Sequence, residues 1–182
     1  MLEMFRVDGQ VAIVTGAGRG LGAATAIGLA EAGADVVISS RTASDLSLVA
    51  KQIEEHGRRA IIVEADLSDI DAVTGLAQAA KDELGRLDIV VNNVGGTMPC
   101  TFMDNTLEMF EEAFHFNVTT AFALTKAAVP YMLENGGGSV VNISSMMGRA
   151  GGRGFISYGT AKGGLAQFTR LAARDLSPKI RV

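Results

Sequence analysis

The apolar residues of this 182-residue chain occur in short runs that alternate with longer amphipathic segments. The runs are rich in valine and isoleucine, which is typical of strands that are buried on both faces of a parallel sheet. The predicted strands are VAIVT (11–15), DVVIS (35–39), AIIVEAD (60–66), LDIVVNN (87–93) and SVVNISS (139–145), and KIRV (179–182) begins a sixth.

The segments between these runs place apolar residues at helical spacing. They predict helices over about 21–33, 43–57, 69–85, 107–134 and 157–176, with Asp69 as the N-cap of the third. Strands that alternate with helices predict an α/β fold, a Rossmann-type doubly wound parallel sheet in a three-layer α/β/α arrangement. No linker or repeat divides the chain, so we expect residues 1–182 to form a single domain, which ends at the start of the sixth strand.

Composition excludes several classes of protein. The formal net charge is −4 and no basic stripe is present, so we expect no nucleic-acid partner. No apolar run approaches the ~18 residues of a membrane span, and the first residues are too polar for a signal peptide. Cys100 is the single cysteine, which fits a reducing, cytoplasmic location, and no Cys/His cluster has the spacing of a metal site.

Glycines are unusually frequent, with 22 in the chain, and their first cluster follows the first predicted strand. The segment TGAGRGLG places Gly16, Gly20 and Gly22 where the first helix begins. Glycine lets backbone approach a pyrophosphate closely, and a helix N-terminus offers free N–H groups. A glycine-rich turn without a ligand is the alternative, but the position after the first strand favours a dinucleotide site.

Tyr158 and Lys162 lie four residues apart in a predicted helix that also contains Gly159 and the Gly163–Gly164 pair. This spacing places a phenol and an ammonium group on one helical face, where the cation stabilises the phenolate form. The glycines lower helix propensity, so they indicate a close approach of another backbone or of a cofactor. An ordinary solvated pair on a helix surface is the alternative interpretation.

The glycine spacing T-G-x-x-x-G-x-G is followed in order by NNVG (92–95), Asn117 in FNVTT, NISS (142–145) and YGTAK (158–162). With these five motifs the sequence resembles the short-chain dehydrogenase/reductase family from about Phe5 to its last residue. Val94 departs from the alanine that the family usually has there. The resemblance implies a nicotinamide cofactor and a small-molecule substrate.

The resemblance also implies catalytic roles. Tyr158 is the expected general acid and base, and Lys162 stabilises its phenolate and bonds the nicotinamide ribose. Ser145, thirteen positions before Tyr158, is expected to bond the substrate oxygen. Asn117 is expected to hold the local geometry of the long helix and a water linked to Lys162.

Cofactor contacts are implied at the glycine turn and at the ends of the strands. The implied residues, with the catalytic pair, are Gly16, Arg19, Gly20, Leu21, Ser40, Arg41, Asp66, Leu67, Asn93, Gly95, Tyr158 and Lys162. For Asp66 a purely structural role as a helix cap remains an equal alternative.

The end of the second strand bears on the choice of cofactor. An NAD-specific site has a carboxylate there, whereas this chain has Ser40 followed by Arg41, with Arg19 in the glycine turn. Guanidinium groups attract a 2′-phosphate, so we expect NADP(H) to be preferred, with NAD(H) possible. The alternative is that Arg41 faces solvent and Arg19 caps its own loop.

Together these features predict an NADP(H)-dependent oxidoreductase that interconverts a secondary alcohol and a ketone on an apolar substrate, such as a ketosteroid or a 3-oxoacyl group. We expect a homodimer or homotetramer, formed through the small residues Gly159, Gly163 and Ala166 and the long helix. Family members continue beyond the sixth strand, which leaves a second hypothesis, a truncated, non-catalytic nucleotide-binding or partner-binding fragment.

Overall fold

The computed structural model describes residues 3–182, in which six strands form one parallel sheet. The strand order is β3-β2-β1-β4-β5-β6, which confirms the predicted doubly wound Rossmann-type topology. The strands are β1 (Val11–Thr15), β2 (Asp35–Ser40), β3 (Ala60–Glu64), β4 (Ile89–Asn92), β5 (Gly138–Asn142) and β6 (Ile180–Arg181).

Helices connect successive strands, as the alternating pattern predicts. They are α1 (Gly20–Glu31), α2 (Ala43–Glu55), α3 (Ile70–Leu84), α4 (Leu107–Phe114), α5 (Thr120–Glu134) and α6 (Ile156–Asp175). Asp69 caps α3 as predicted, since its carboxylate accepts a hydrogen bond from the Asp71 N–H. Within residues 3–182, no helix combines the length and the hydropathy that crossing a membrane requires.

Two hydrophobic clusters lie on opposite faces of the sheet and account for the three layers. On one face, Ile13 of β1 packs with Leu76 of α3 and Leu124 of α5. On the other face, Val14 of β1 packs with Leu46 of α2. Side chains alternate along a strand, so one apolar strand supplies both clusters. This is why β1 is buried at every position.

The outer strands differ from the prediction of fully buried runs. Ile62 on the edge strand β3 is 41% exposed, because only one neighbouring strand and part of the helical layer cover it. Val141 of β5 is 47% exposed, on the face of the sheet that α1 and α2 cover farther along. Full burial is confined to β1 and β4 and nearly reached in β2.

The predicted helix over 107–134 is wrong as a single regular helix. α4 and α5 are joined by one π-helical turn, His115–Thr119, which contains Asn117. The Asn117 Nδ2 donates to the Ala113 carbonyl at 2.8 Å, so the side chain bonds a carbonyl one turn back. A wide turn shifts the backbone hydrogen-bond pattern by one residue, and the amide compensates for that shift.

The position of the functional site follows from the topology. The chain leaves β1 toward the face that carries α1, and it leaves β4 toward the face that carries α5. Because β1 and β4 are neighbours, the two connections diverge and open a crevice at the carboxyl ends of these strands.

Candidate active site

A cleft of about 580 Å³ occupies this crevice and extends to the end of β2. All of the residues implied as cofactor contacts line it: Gly16, Arg19, Gly20, Leu21, Ser40, Arg41, Asp66, Leu67, Asn93, Gly95, Tyr158 and Lys162. Asn117 and Ser145, the other two implied catalytic residues, do not line this cleft.

The glycine turn forms the floor of the cleft. Gly16 and Gly20 have φ angles of +65° and +56°, in the left-handed region that favours glycine. A Cβ on Gly22 would stand 2.2 Å from the Gly16 carbonyl oxygen, so only glycine fits there. The N-cap Arg19 makes no side-chain capping bond, which leaves the first N–H groups of α1 available. These features fit the pyrophosphate of a dinucleotide.

The loop after β4 is tied to the glycine turn. The Thr15 hydroxyl accepts from the N–H groups of Asn93 and Val94, both at 3.0 Å. The Asn93 Nδ2 donates to the carbonyls of Thr15 at 2.8 Å and Gly16 at 3.2 Å. Asn93 lines the cleft, and the N–H groups of its side-chain amide hold the two loops together.

Lys162 is buried in the wall of the cleft, with only 3% of its surface exposed. Its Nζ donates to the Ile143 carbonyl at 2.7 Å, and burial lowers the pKa of the ammonium group to about 8. The same Nζ lies 5.9 Å from the ring centre of Tyr158, one turn earlier on α6. Tyr158 itself is half-buried.

Asn117 and Gly95 lie close to this ammonium group. The Asn117 side chain bonds both backbone groups of Gly96, each at 3.0 Å. A Cβ on Gly95 would stand 2.6 Å from the Asn117 Oδ1 and 2.7 Å from the Lys162 Nζ. Any side chain at position 95 would displace one of these two groups.

Ser145 lies just beyond the cleft wall. Its Oγ accepts from the Met147 N–H at 3.2 Å and so caps a short 3₁₀ turn, Met146–Gly148. The preceding Ser144 lines the cleft, although its hydroxyl donates to the Lys162 carbonyl at 2.9 Å.

The glycines of α6 face this same 3₁₀ turn. A Cβ on Gly159 would stand 2.8 Å from the Met147 carbonyl oxygen, and one on Gly163 would stand 3.2 Å from that of Gly148. Gly159 and Gly163 therefore face a backbone of the same chain, and the contact predicted between this helix and a second copy stays a prediction. Their small size lets the backbone of this turn approach α6 closely. The sequence predicted such an approach, either by another backbone or by a cofactor.

The far end of the cleft lies at β2 and β3. The Ser40 Oγ accepts from the Thr42 N–H at 3.3 Å. Bonds from the Ser68 N–H and hydroxyl, with a smaller contribution from the Arg41 guanidinium, hold the pKa of Asp66 below its usual value. Asp66 thus serves the turn before α3 while it also lines the cleft, so its two predicted roles are compatible.

Sequence reasoning missed several residues that line the cleft: Gly18, Thr42, Asp45, Ala65, Phe116, Ile143 and Ser144. Thr42 and Asp45 lie at the start of α2. Because α2 directly follows β2, the sequence could have indicated that these residues lie near the end of β2. Phe116 opens the FNVTT motif, so its place beside Asn117 on the π-helical turn was also a usable signal.

Among residues 3–182, no three His, Cys, Asp or Glu side chains are grouped so that they could hold a metal ion.

Comparisons with known proteins agree with this geometry. The family model described as short chain dehydrogenase matches residues 10–182. An uncharacterized oxidoreductase of Mycobacterium tuberculosis (strain CDC 1551 / Oshkosh) is 59% identical over 183 residues, covering 100% of this chain and 70% of that protein. The 3-oxoacyl-[acyl-carrier-protein] reductase of Synechocystis sp. (strain ATCC 27184 / PCC 6803 / Kazusa) is 37% identical over 179 residues, covering 97% of this chain and 72% of that protein.

A solved structure shares the fold over the whole chain. It is a 7α-hydroxysteroid dehydrogenase complexed with NADH and 7-oxo glycochenodeoxycholic acid, with a TM-score of 0.95 and 37% identity. The match covers 100% of this chain and 72% of that one.

Burial of Lys162 predicts a specific dependence of stability on pH. Its pKa falls from 10.5 to about 8 on folding, so between these values the unfolded chain binds more protons than the folded chain. The free energy of unfolding should therefore rise by about 3 kcal/mol as pH goes from 8 to 10.5, and that gain should be lost again as pH falls back to 8.

Urea unfolding at a series of pH values checks this. Lys162→Met should flatten the rise, whereas Lys51→Met, at an exposed lysine of α2, should keep the profile of the unmodified protein. If the free energy of unfolding rose equally with pH in all three proteins, burial of Lys162 would not be the cause of the rise.

Proposed function

Since this chain belongs to the short-chain dehydrogenase/reductase family, we propose that it is an NADP(H)-dependent oxidoreductase that interconverts a secondary alcohol and a ketone. One observation carries the proposal. Tyr158 and Lys162, a proton-transfer group and a cation, line the same cleft as the glycine turn that fits a pyrophosphate. A nucleotide held on that turn would extend along the cleft toward the phenol.

The chain supplies the proton chemistry. Nicotinamide, when bound, supplies hydride to the carbonyl carbon or accepts it from the alcohol carbon. In reduction the Tyr158 phenol donates its proton to the substrate oxygen, and in oxidation the phenolate removes it. Lys162 stabilises the phenolate electrostatically from one turn away, and its ammonium group, which lines the same cleft, is the group that would bond the nicotinamide ribose.

Two further residues support this pair. We assign Ser145 to the substrate oxygen as a hydrogen-bond donor, since its Oγ accepts from Met147 and keeps its own proton available. Asn117 acts by position, because its amide fixes Gly96 and the π-helical turn behind Lys162.

The preference for NADPH rests on the end of β2. Arg41, Arg19 and Ser40 all line the cleft, and the Ser40 hydroxyl can donate to a phosphate oxygen. The N-cap of α2, Thr42, makes no side-chain capping bond, so the first N–H groups of this 13-residue helix are also available near Ser40. Cations and free N–H groups favour the added 2′-phosphate.

The proposed substrate carries an apolar body. The Phe155 ring lies 6.4 Å from the Tyr158 ring, and its segment pairs with the loop after β4 at Cys100. Met98 and Met103 of that loop are exposed, as is Met146 beside Ser145. Such surfaces favour a ketosteroid or 3-oxoacyl group, in line with the names of the steroid and acyl-carrier relatives.

We also propose that the protein associates with itself through the faces of α4, α5 and α6. Large apolar side chains are exposed there: Leu107, Phe114, Phe122 and Leu171. Gly159 and Gly163 contact a turn of the same chain, so the proposed interface rests on these four exposed side chains, called the apolar patch here. Such a patch fits a homodimer or homotetramer.

Replacing the phenol tests the proposed catalysis. Tyr158→Phe should lower kcat by at least about 100-fold, because only the proton-transfer group is lost, while NADPH binding stays within about twofold. Oxidation of NADPH, followed by absorbance against ketosteroids and 3-oxoacyl thioesters, measures the rate. Tyr131→Phe is the matched control, since that hydroxyl lies outside the cleft and donates to Gln78. Retention of most of the turnover in Tyr158→Phe would refute the assignment.

Replacing the guanidinium tests the cofactor preference. Arg41→Ala should weaken NADPH binding more than tenfold and leave NADH binding almost unchanged, since a charge-assisted bond contributes roughly 1.5–3 kcal/mol. Fluorescence titration of both cofactors measures this, with Arg174→Ala, at the end of α6, as the control. Equal weakening of both cofactors would show that Arg41 does not read the phosphate.

The proposed interface has a matched test as well. Leu171→Glu places a charge in the apolar patch and should shift sedimentation at micromolar concentration toward monomer. Leu48→Glu, on α2 with a similarly exposed leucine (61% against 55%), should not change the association state. A monomeric unmodified protein would contradict the proposal.

A further inference from the structure

The end of the cleft at β2 and β3, where the proposed cofactor would place its adenosine, is called the adenosine end here. It contains a carboxylate to which the proposed function assigns no role. Asp45, in the first turn of α2, lines the same cleft as Ser40 and Arg41. The structure shows how close it lies to Ser40. A Cβ built on Gly18 would stand 2.8 Å from the Ser40 Oγ and 3.2 Å from the Asp45 Cβ, so both side chains border one small space.

The Asp45 charge has no close counterion within residues 3–182. The ion pairs there involve Asp8, Asp35, Asp88 and Glu134, and none brings a Lys or Arg nitrogen within 4.0 Å of Asp45. A group that entered this part of the cleft would therefore meet the Asp45 carboxylate, in a cleft that Arg41 also lines.

We propose that Asp45 is a second specificity-determining residue for the cofactor, one that opposes Arg41 and narrows the preference for NADPH over NADH. A ribose with a free 2′-hydroxyl can donate a hydrogen bond to the carboxylate, whereas a 2′-phosphate brings up to two negative charges toward it. The repulsion acts on the phosphate itself, since Asp45 makes no ion pair with Arg41.

This inference rests on the proposed dinucleotide cofactor, and binding measurements separate the two. Asp45→Asn keeps the shape of the side chain and removes its charge. NADPH binding should then tighten roughly fivefold to tenfold, the size expected for a charge near a phosphate in a hydrated cleft, while NADH binding stays the same or weakens slightly. Adenosine 2′,5′-bisphosphate compared with 5′-AMP isolates the phosphate and should show the same gain.

Asp71→Asn is the matched control, because Asp71 also lies in the first turn of a helix, α3, where it is exposed and outside the cleft. Both variants lose a favourable charge at a helix N-terminus, so both should lower Tm slightly, but only Asp45→Asn should change the ratio of the two affinities. In an Arg41→Ala background, Asp45→Asn should still tighten NADPH binding, because the repulsion does not pass through Arg41.

The outcomes are distinct. If the unmodified protein binds neither NADH nor NADPH, the proposed function fails. If both bind and Asp45→Asn leaves their affinity ratio within about twofold, this inference alone is overturned. The inference is also overturned if the gain disappears in the Arg41→Ala background, since Asp45 would then act only through the guanidinium.

Discussion

The buried ammonium group of Lys162 is the constraint on which the arrangement of the site depends. A cation with 3% of its surface exposed needs hydrogen-bond partners inside the protein, and the carbonyl of Ile143 at 2.7 Å is one. That bond holds α6 against the end of β5. It also leaves no room for a side chain at Gly95, because a Cβ there would come within 2.7 Å of the Nζ. One polar contact thus fixes the positions of a helix, a strand end and a loop.

The two ends of the cleft are coupled through the backbone of neighbouring loops. Thr15 and Asn93 join the glycine turn after β1 to the loop after β4 by four hydrogen bonds. Asn117 joins the next residues of that loop to the π-helical turn behind Lys162. The glycine turn, the loop after β4 and the π-helical turn are therefore joined by one set of hydrogen bonds.

Charge at the adenosine end is mixed. Arg19 and Arg41 line the cleft together with Asp45 and Asp66, so the proposed affinity for a 2′-phosphate would be a difference between attraction and repulsion. This differs from a site built only from cations.

The sequence by itself determined the alternation of strands and helices, the glycine turn and the spacing of Tyr158 and Lys162, because these features depend on local periodicity and backbone freedom. Only the tertiary structure decided that the helix over 107–134 contains a π-helical turn and that the α6 glycines face a turn of the same chain. It also decided that Asp45 borders Ser40. These outcomes depend on contacts between elements that are far apart in the sequence, and such contacts form only when the layers of the fold pack together.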